Sequence, residues 1–566
     1  MNRVPLPKRL LKKIKKRIYS RPAKQDLVAA WQGILSARSA EWERIKHSSR
    51  GGPRVLFATG ASGHGLVAPV ESALAVALTL RGASVQFVIC DQFLPACWLA
   101  GSTQFSDLRE FVQFGLRRSK CLKCFTRGKK IRDALGLPTH LYSELVSPDE
   151  QKQADDVSKS VEMDSIPGYR LDGIAVGEHS LAGALRFFGR GTLDGEPYAE
   201  HVLRRYFQAA LLTAFGARRL LNQIPCDCKV SSHGIYVPDG LFGEVARQEN
   251  VRVVNWNTGY RKKCFIFSHG DTYHHTMISE PVDRWETMEW NAQIESHLMD
   301  YLRTRWQGTQ DWITFVHNQP QFDPEMIRRE VGFDFSKPCI GMLTNVMWDA
   351  QLHYPANVFP NMLEWVVRTI DYFARRPDLQ LLIRVHPAEI TGLIPSRQPI
   401  VPEIFKAFPT LPANVFIIGP ESRVSTYAAM LQCDSVIIYN TKTGVELTSM
   451  GIPVIVGGEA WIRNKGITLD GTSIEEYFKI LDRLPLKARL NDMTTRRARR
   501  YAYHYFFRRM IPLDFMEPTN SWPPVRMELQ DLEELEPGNY RGLDVVCDGI
   551  LIGADFIYPA ERHGDA

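Results

Sequence analysis

The stretch between residues 433 and 455 carries the densest set of side chains able to bind a charged ligand. An apolar run typical of a buried strand ends at position 439, and a polar turn leads directly into a helix pattern. Backbone N–H groups at a helix start attract anions, and a glycine there lets a phosphate approach closely. An ordinary strand–helix turn with a capping threonine is the alternative. The predicted phosphate and ribose ligands are Thr441, Lys442, Thr443, Gly444 and Glu446.

A second polar group follows the apolar run at 379–385. Pro387 removes a backbone donor and biases the residue before it towards extended geometry, so the strand is predicted to end there. A histidine can hydrogen-bond a phosphate or a leaving oxygen, and an arginine can pair with one. We therefore predict that Arg384, His386 and Glu389 contribute to the same binding site.

Apolar runs alternate with helix-compatible stretches in two series, which begin at 55–59 and 339–343. Such units predict parallel sheets covered by helices on both faces. The predicted fold class is α/β, with two Rossmann-like, doubly wound domains facing a cleft, where ligands bind outside the carboxyl ends of the strands. The predicted segments are a basic amphipathic one at 1–50, α/β domains at 51–290 and 291–510, and an irregular acidic tail at 511–566.

Charge is distributed unevenly along the 566 residues. The net charge is +6, but residues 1–25 hold ten basic residues and no acidic one. Leu11, Ile14 and Ile18 would share one stripe of a helix within this basic segment. Such a helix favours an anionic membrane surface. A solvated leader is the alternative, and we do not expect nucleic-acid binding.

The composition is that of a globular, multidomain protein. No apolar run approaches the roughly 20 residues that span a bilayer. The basic start is not followed by an apolar signal-peptide core, and the ten cysteines are irregularly spaced. We therefore expect a cytoplasmic protein, peripheral on the inner face of the cell membrane. No Asp-x-Asp triplet occurs, and we expect neither a metal site nor a resident cofactor.

These motifs carry a family resemblance. The segments 384–389 and 434–455, together with 457–461 and 465–468, resemble the bacterial capsule polysaccharide biosynthesis proteins, a group that includes the Kdo transferases. The resemblance covers about 130 residues of the C-terminal half. It implies the two-domain glycosyltransferase-B (GT-B) fold, a nucleotide-sugar donor in the C-terminal domain and the acceptor in the N-terminal domain.

The same resemblance assigns roles to single residues. His386 and Pro387 resemble the motif by which bacterial sialyltransferases hold cytidine monophosphate, which implies a CMP-linked donor. Glu446 is similar in placement to the ribose-binding glutamate of many such transferases. Lys442 departs from the serine–threonine turn that is common in the family, so the nucleotide stays open.

An acceptor hydroxyl needs a base, and the sequence offers three candidates. His64 lies in a glycine-rich loop after the first strand pattern, Asp239 in an aromatic and polar loop at 232–240, and Asp349 after the first strand pattern of the second series. A histidine or a carboxylate within hydrogen-bond reach of a hydroxyl can take its proton. An incidental histidine in a surface turn is an equal interpretation of His64. The spacing of glycines 60, 63 and 65 is wrong for a dinucleotide loop.

The function expected from these features is sugar transfer from a nucleotide-sugar to a capsule or other surface polysaccharide, with a glycan or lipid-linked acceptor. Lys442, Arg384 and His386 would offset the charge of the departing nucleotide without a metal. Two alternatives remain. One is an epimerase or hydrolase acting on a nucleotide-sugar, and the other is a non-catalytic, membrane-associated assembly factor.

Overall fold

A computed structural model describes residues 25–562 of the chain, except 117, 313–322, 350–351, 353–356, 393, 487 and 520–524. The described residues form fifteen strands, numbered in chain order. They are β1 (Arg54–Phe57), β2 (Ser84–Ile89), β3 (Thr139–Leu141), β4 (Cys228–Ser232), β5 (Arg252–Thr258), β6 (Cys264–His269), β7 (Cys339–Leu343), β8 (Gln380–Arg384), β9 (Val415–Ile418), β10 (Ser435–Ile438), β11 (Val454–Val456), β12 (Leu469–Asp470), β13 (Ile511–Pro512), β14 (Met516–Pro518) and β15 (Val525–Met527).

Two large sheets organise the described chain. The first has the order β13-β6-β5-β4-β1-β2-β3, and the second has the order β12-β11-β10-β7-β8-β9. In the first sheet β1 to β5 run parallel, while β6 and β13 are antiparallel additions. Every pairing of the second sheet is parallel. The prediction of two doubly wound α/β domains is confirmed.

Helices cover the first sheet and connect its strands. Val67–Leu80 is apolar almost throughout and nearly all of it is buried, as expected of a crossover helix packed between a sheet and a second helical layer. The α-helices up to residue 276 are Leu27–Ala37, Ser39–Ser48, Val67–Leu80, Arg109–Phe114, Arg118–Leu135, Tyr142–Leu145, Pro148–Ser160, Val176–Phe188, Ala199–Gln223, Asp239–Gln248 and Tyr273–Thr276.

Most helices of the second half of the chain surround the second sheet, and the last one packs against the first domain. The short helix Thr443–Ser449 follows β10 and begins at the mouth of the cleft. The α-helices after residue 276 are Asp283–Glu286, Ala292–Arg305, Pro324–Val331, Met362–Ala374, Ala388–Thr391, Ile400–Ala407, Thr426–Met430, Thr443–Ser449, Ile474–Leu481, Asp492–Tyr503 and Arg541–Ile552.

The C-terminal segment corrects the prediction of an irregular appendage at 511–566. β13 pairs with β6 of the first sheet, and the helix Arg541–Ile552 packs beside Val67–Leu80. Arg81 pairs with Asp544 at 2.5 Å, and Arg252 Nη1 donates to the Gly549 carbonyl at 2.9 Å. The described part of this segment therefore belongs to the N-terminal domain, because its apolar side chains complete that domain's core.

The described part of the N-terminal segment is also packed. Trp31 and Trp42 are buried, and their indole N–H groups donate to Ser72 Oγ and to the Leu135 carbonyl, each at 2.9 Å. The basic stripe predicted at 8–18 lies outside the described residues. Among the helices of the described chain, none combines the length and apolar character that crossing a bilayer requires.

Candidate functional site

A cavity of about 220 Å³ lies at the carboxyl ends of β7, β8 and β10, where a doubly wound sheet binds ligands. Residues of the second sheet's loops form most of it, and residues from the first domain and the connecting segment close it. Its polar and aromatic lining includes Tyr260, His274, Arg305, Asp311, Thr344, Asn345, Asp349, Arg384, His386, Arg423, Ser425, Tyr427, Asn440, Thr441, Lys442, Thr443, Glu459 and Trp461.

His386 lines this cavity as predicted, and its local turn fixes its proton. The Ala388 backbone N–H donates to His386 Nδ1 at 3.0 Å, so the neutral ring carries its proton on Nε2. The His386 backbone N–H donates to Thr344 Oγ1 at 3.2 Å, which holds the turn against β7. Burial, with the charges of Lys442 and Arg384, lowers the pKa of His386 to about 4. His386 is therefore a neutral hydrogen-bond donor at pH 7.

Arg384 also lines the cavity, but its guanidinium is committed to the protein backbone. It donates to the carbonyls of Gly419 at 2.5 Å, Ser422 at 3.1 Å and Val424 at 3.3 Å. Burial lowers its pKa to about 10. The sequence predicts a phosphate partner here, whereas the observed contacts hold the loop that brings Ser425 and Tyr427 to the cavity.

Glu446 lies beneath the cavity, in a buried network that the sequence did not predict. Its Oε1 accepts from Lys442 Nζ at 2.7 Å and from Arg305 Nε at 3.1 Å, and its Oε2 accepts from the Tyr427 hydroxyl. Burial acts to raise the pKa of Glu446, but the charges of Arg305 and Lys442 outweigh it and lower that pKa to about 2. Glu446 is 1% exposed and does not line the cavity, so its role here is to orient the two cations and the phenol.

Arg305 is the centre of that network. It also pairs with Asp311, whose Oδ1 accepts from the Tyr301 hydroxyl at 2.9 Å. Its guanidinium lies 5.2 Å from the ring centroid of Tyr260, within cation–π range. Tyr260 and Arg305 line the cavity, although one comes from the first domain and the other from the connecting helix.

The turn after β10 is partly placed as predicted. Thr441, Lys442 and Thr443 line the cavity, and the Thr443 backbone N–H donates to Thr441 Oγ1 at 3.4 Å. The prediction that Gly444 lets a phosphate approach is wrong, because Gly444 is buried and does not line the cavity. A Cβ on it would lie 2.6 Å from Ile438 Cδ1 and 3.6 Å from Val454. Glycine at this position lets the helix Thr443–Ser449 pack closely on β10 and β11, because a Cβ would displace the end of the Ile438 side chain.

The prediction for Glu389 is also wrong, because Glu389 does not line the cavity. Its two carboxyl oxygens accept from the Ile400 backbone N–H at 3.2 and 3.3 Å, at the start of the helix Ile400–Ala407. Burial raises its pKa to about 7. The carboxyl therefore holds the start of the helix Ile400–Ala407 and is not among the residues that line the cavity.

Two of the three predicted bases remain inside the first domain. The His64 ring packs edge-on against Trp98, with centroids 5.1 Å apart, and burial with Arg186 and Arg127 lowers its pKa to about 4. Asp239 is 1% exposed and accepts from the Gly60 backbone N–H at 2.8 Å and from the Trp98 indole at 2.9 Å. Neither residue lines the cavity, so the structure does not bring them to the predicted donor site.

Asp349 is the predicted base that does line the cavity. Its side chain is exposed, and its Oδ1 accepts from the Tyr236 hydroxyl at 3.2 Å. Tyr236 belongs to the first domain and Asp349 to the second, so this contact joins the two domains beside the cavity.

Besides Arg384 Nε, three smaller polar side chains at the cavity have buried atoms without a hydrogen-bond partner among the described residues. They are Asn345 Oδ1, Ser425 Oγ and Asn440 Oδ1. Buried polar atoms are nearly always satisfied, so such a group calls for a partner. All three follow strands of the second sheet or the loop after β9, and a polar ligand in the cavity would satisfy them.

Several lining residues were missed by reasoning from the sequence. Arg305 and Asp311 lie in the connector, where no motif marks them, and Tyr427 lies in a short helix of ordinary composition. The Tyr427 ring stacks on Trp306 with centroids 5.6 Å apart. Tyr260 follows β5 of the first sheet, and its position just after a strand was the only signal available.

No protein-family model and no curated protein sequence matches the chain. Among solved structures, the beta Kdo 2,4 transferase KpsC of Thermosulfurimonas dismutans matches with 12% identity and a TM-score of 0.34, over 55% of this chain and 87% of that chain. The glycosyltransferase SsfS6 of Streptomyces sp. SF2575 matches with 12% identity and a TM-score of 0.22, over 80% and 94% of the two chains. A UDP-N-acetylglucosamine 2-epimerase matches with 11% identity and a TM-score of 0.21, over 79% and 90%.

Proposed function

We propose that the chain is a glycosyltransferase that moves a sugar from a nucleotide-sugar donor to a glycan or lipid-linked acceptor in the cleft between its two domains. The observation that carries this proposal is the cavity at the carboxyl ends of β7, β8 and β10, which combines a neutral histidine donor, a lysine and three unsatisfied polar groups. The phosphates of a nucleotide-sugar would supply acceptor atoms and negative charge for His386, Lys442 and the Ser425 hydroxyl, and its hydroxyl or amino groups would donate to the two asparagine oxygens.

The donor phosphate would lie between His386 and Lys442. The Nε2–H of His386 donates to a phosphate oxygen, and Lys442 supplies a positive charge fixed by its contact with Glu446 at 2.7 Å. Preorganised donors and cations stabilise the charge that develops on the departing nucleotide. Because these groups supply that stabilisation themselves, we propose that transfer does not depend on a divalent metal.

The acceptor would approach from the first domain. Tyr260 and His274 line the cavity from that side, and Asp349 presents its carboxylate at the domain boundary through the Tyr236 contact at 3.2 Å. A carboxylate in this place can accept a hydrogen bond from a sugar hydroxyl and orient it. The motif resemblance of the C-terminal half supports a capsule-like surface polysaccharide as the acceptor and a CMP-linked sugar as the donor.

We also propose that the enzyme works at an anionic membrane surface on the cytoplasmic side. The basic segment 1–25 supports this assignment. A second surface adds to it, where the side chains of Phe114 and Leu122 are 70% and 52% exposed beside the exposed Lys120 and Lys123. Exposed apolar side chains surrounded by basic residues suit the surface of a bilayer, where the acyl chains are apolar and the headgroups are anionic.

A nucleotide panel tests the donor site. A ligand that binds only the folded state raises its melting temperature by mass action, so CMP, UDP, GDP and CDP are each compared in a thermal-shift assay. The responding nucleotide is then supplied as its sugar conjugate, with and without an oligosaccharide acceptor. Nucleotide release that requires the acceptor supports transfer, and acceptor-independent product indicates an epimerase or hydrolase. No shift with any nucleotide would contradict the donor site.

A further inference from the structure

A turn of the first domain is hydrogen-bonded to a segment of the second domain. The turn is 189–192, and the segment is 394–398, which lies between β8 and β9. Gln398 is buried, and its Oε1 accepts from the backbone N–H groups of Gly191 at 3.0 Å and Thr192 at 3.1 Å. One side chain of the second domain therefore satisfies two backbone donors of the first.

A glycine and an ion pair bring the same two pieces of chain together. Gly189 has a φ of 68°, and a Cβ there would lie 2.7 Å from the Pro395 carbonyl oxygen. The Gly189 carbonyl accepts from the Arg397 backbone N–H at 2.9 Å. The Arg397 guanidinium also pairs with Glu196 Oε1 at 2.9 Å, and the Glu196 side chain is buried. The turn and the segment therefore fit together through backbone as well as side-chain atoms.

Glu389 connects this segment to the turn that carries His386. The Glu389 backbone N–H donates to the His386 carbonyl at 3.1 Å, and the Glu389 carbonyl accepts from the Ser396 backbone N–H at 3.0 Å. Its carboxyl oxygens accept from the Ile400 backbone N–H at 3.2 and 3.3 Å. The hydrogen bonds of Glu389 thus lead from His386 to the residues on either side of Gln398.

We propose that Gln398 is a positioning residue for the donor site. By holding the segment 394–398 on the first domain, it fixes, through Glu389, the turn that directs His386 Nε2–H into the cavity. Gln398 does not line the cavity, so its effect on a bound nucleotide passes through His386. The first domain, which supplies the acceptor, is in this way coupled to the donor contact. This inference deepens the proposed glycosyltransferase function and rests on it.

Hydrogen–deuterium exchange of the ligand-free full chain tests the connection without any ligand. Gln398→Met keeps the length of the side chain and removes its oxygen, whereas Gln398→Glu retains an acceptor oxygen. We expect Gln398→Met to exchange about 2–10-fold faster at 191–192, as for a lost hydrogen bond, and also faster at 386–389. Gln398→Glu should restore slow exchange at both places. Gln153→Met, at an exposed helix position, is the matched control.

The exchange results separate a positioning role from a local structural one. Faster exchange at 191–192 alone, or at neither place, would overturn the inference. Should Gln398→Met fail to fold, Arg397→Gln is measured instead, because it loosens the same segment by removing the ion pair with Glu196. Unchanged exchange at 386–389 in that variant would also overturn the inference.

Calorimetric titration with the nucleotide identified in the thermal-shift panel tests the effect on the donor site. We expect Gln398→Met to raise the dissociation constant about 2–10-fold in the wild-type background. In the His386→Asn background, which lacks the Nε2–H donor, the same substitution should have no effect, because coupled residues are not additive. Equal factors in the two backgrounds, or no change in either, would overturn the inference. If no nucleotide binds the wild-type chain, the proposed function fails, and the exchange measurement still decides whether Gln398 holds the His386 turn.

Discussion

His386→Asn separates two roles of His386, namely the support that Nδ1 gives to the turn after β8 and the hydrogen bond that Nε2 is proposed to donate to the phosphate. In the wild type, Nδ1 accepts from the Ala388 backbone N–H at 3.0 Å and leaves the proton on Nε2. An asparagine side chain can accept the same bond from the residue two positions on, so the turn after β8 should be kept. Its shorter side chain does not reach the place of Nε2. The variant therefore removes the donor group and retains the local fold.

The expected loss follows from the chemistry of that one contact. A hydrogen bond to a charged phosphate contributes about 1.5–3 kcal/mol. Because each 1.4 kcal/mol is tenfold in affinity, the dissociation constant of the nucleotide should rise by about 10–150-fold. The melting temperature of the ligand-free protein should stay close to that of the wild type, since the contact with Thr344 at 3.2 Å uses the backbone N–H of residue 386 and the asparagine oxygen replaces Nδ1 as the acceptor of the Ala388 N–H.

Isothermal titration calorimetry with the nucleotide identified in the thermal-shift panel measures this loss. His201→Asn, at an exposed position in the helix Ala199–Gln223, is the matched control. An affinity within twofold of the wild type would refute the assignment of His386 to the donor phosphate. A large fall in the melting temperature of the ligand-free variant would instead show that the ring mainly supports the turn.

The remaining predictions concern the network, a buried carboxyl, the basic segment and the metal. Glu446→Gln removes one of the two buried carboxylates, Glu446 and Asp311, that offset the charges of Arg305 and Lys442. One buried positive charge is then uncompensated, so the free energy of unfolding in urea should fall by about 3–5 kcal/mol; an unchanged value would contradict the network. The pKa of Glu389 is raised to about 7 by burial, so the folded state binds more protons than the unfolded state between the ordinary value of 4.5 and 7, and stability falls as the pH rises through that window. Glu389→Gln should flatten this slope in denaturation at pH 5 and pH 8, and an equal slope in both proteins would refute it. Deleting residues 1–25 should leave transfer to a soluble acceptor intact and weaken sedimentation with anionic vesicles, more clearly at low salt; equal sedimentation would refute the lipid assignment. Turnover should be the same with EDTA as with added Mg²⁺, and a loss with EDTA would contradict a metal-independent reaction.

Local sequence patterns were sufficient for the general architecture. The apolar runs at 339–343 and 379–385 correspond to β7 and β8, and the run at 435–439 corresponds to β10. Such runs are recognisable because a strand in a parallel sheet is buried on both faces, so its residues are almost all apolar. The rule that ligands bind at carboxyl strand ends then brings His386 and Lys442 together, although 56 residues separate them.

Long-range pairing was not visible in the sequence. Glu446 binds Arg305, which lies 141 residues earlier in the chain, and β13 joins a sheet whose nearest strand ends at residue 269. Neither partner carries a local signal, because a buried ion pair and an added edge strand depend on which surfaces the fold brings together. For this reason the local sequence predicted a ribose-binding role for Glu446 and an irregular C-terminal tail.

The sequence by itself determined the two α/β series and the position of His386 directly after β8, since each follows from periodicity or from the geometry that Pro387 imposes. Only the tertiary structure decided which nitrogen of His386 carries its proton, that Gly444 serves helix packing, and that Glu389 holds a distant helix start. The physical reason is that hydrogen-bond partners, burial and backbone strain are properties of surfaces in contact, and those surfaces exist only once the two sheets have packed.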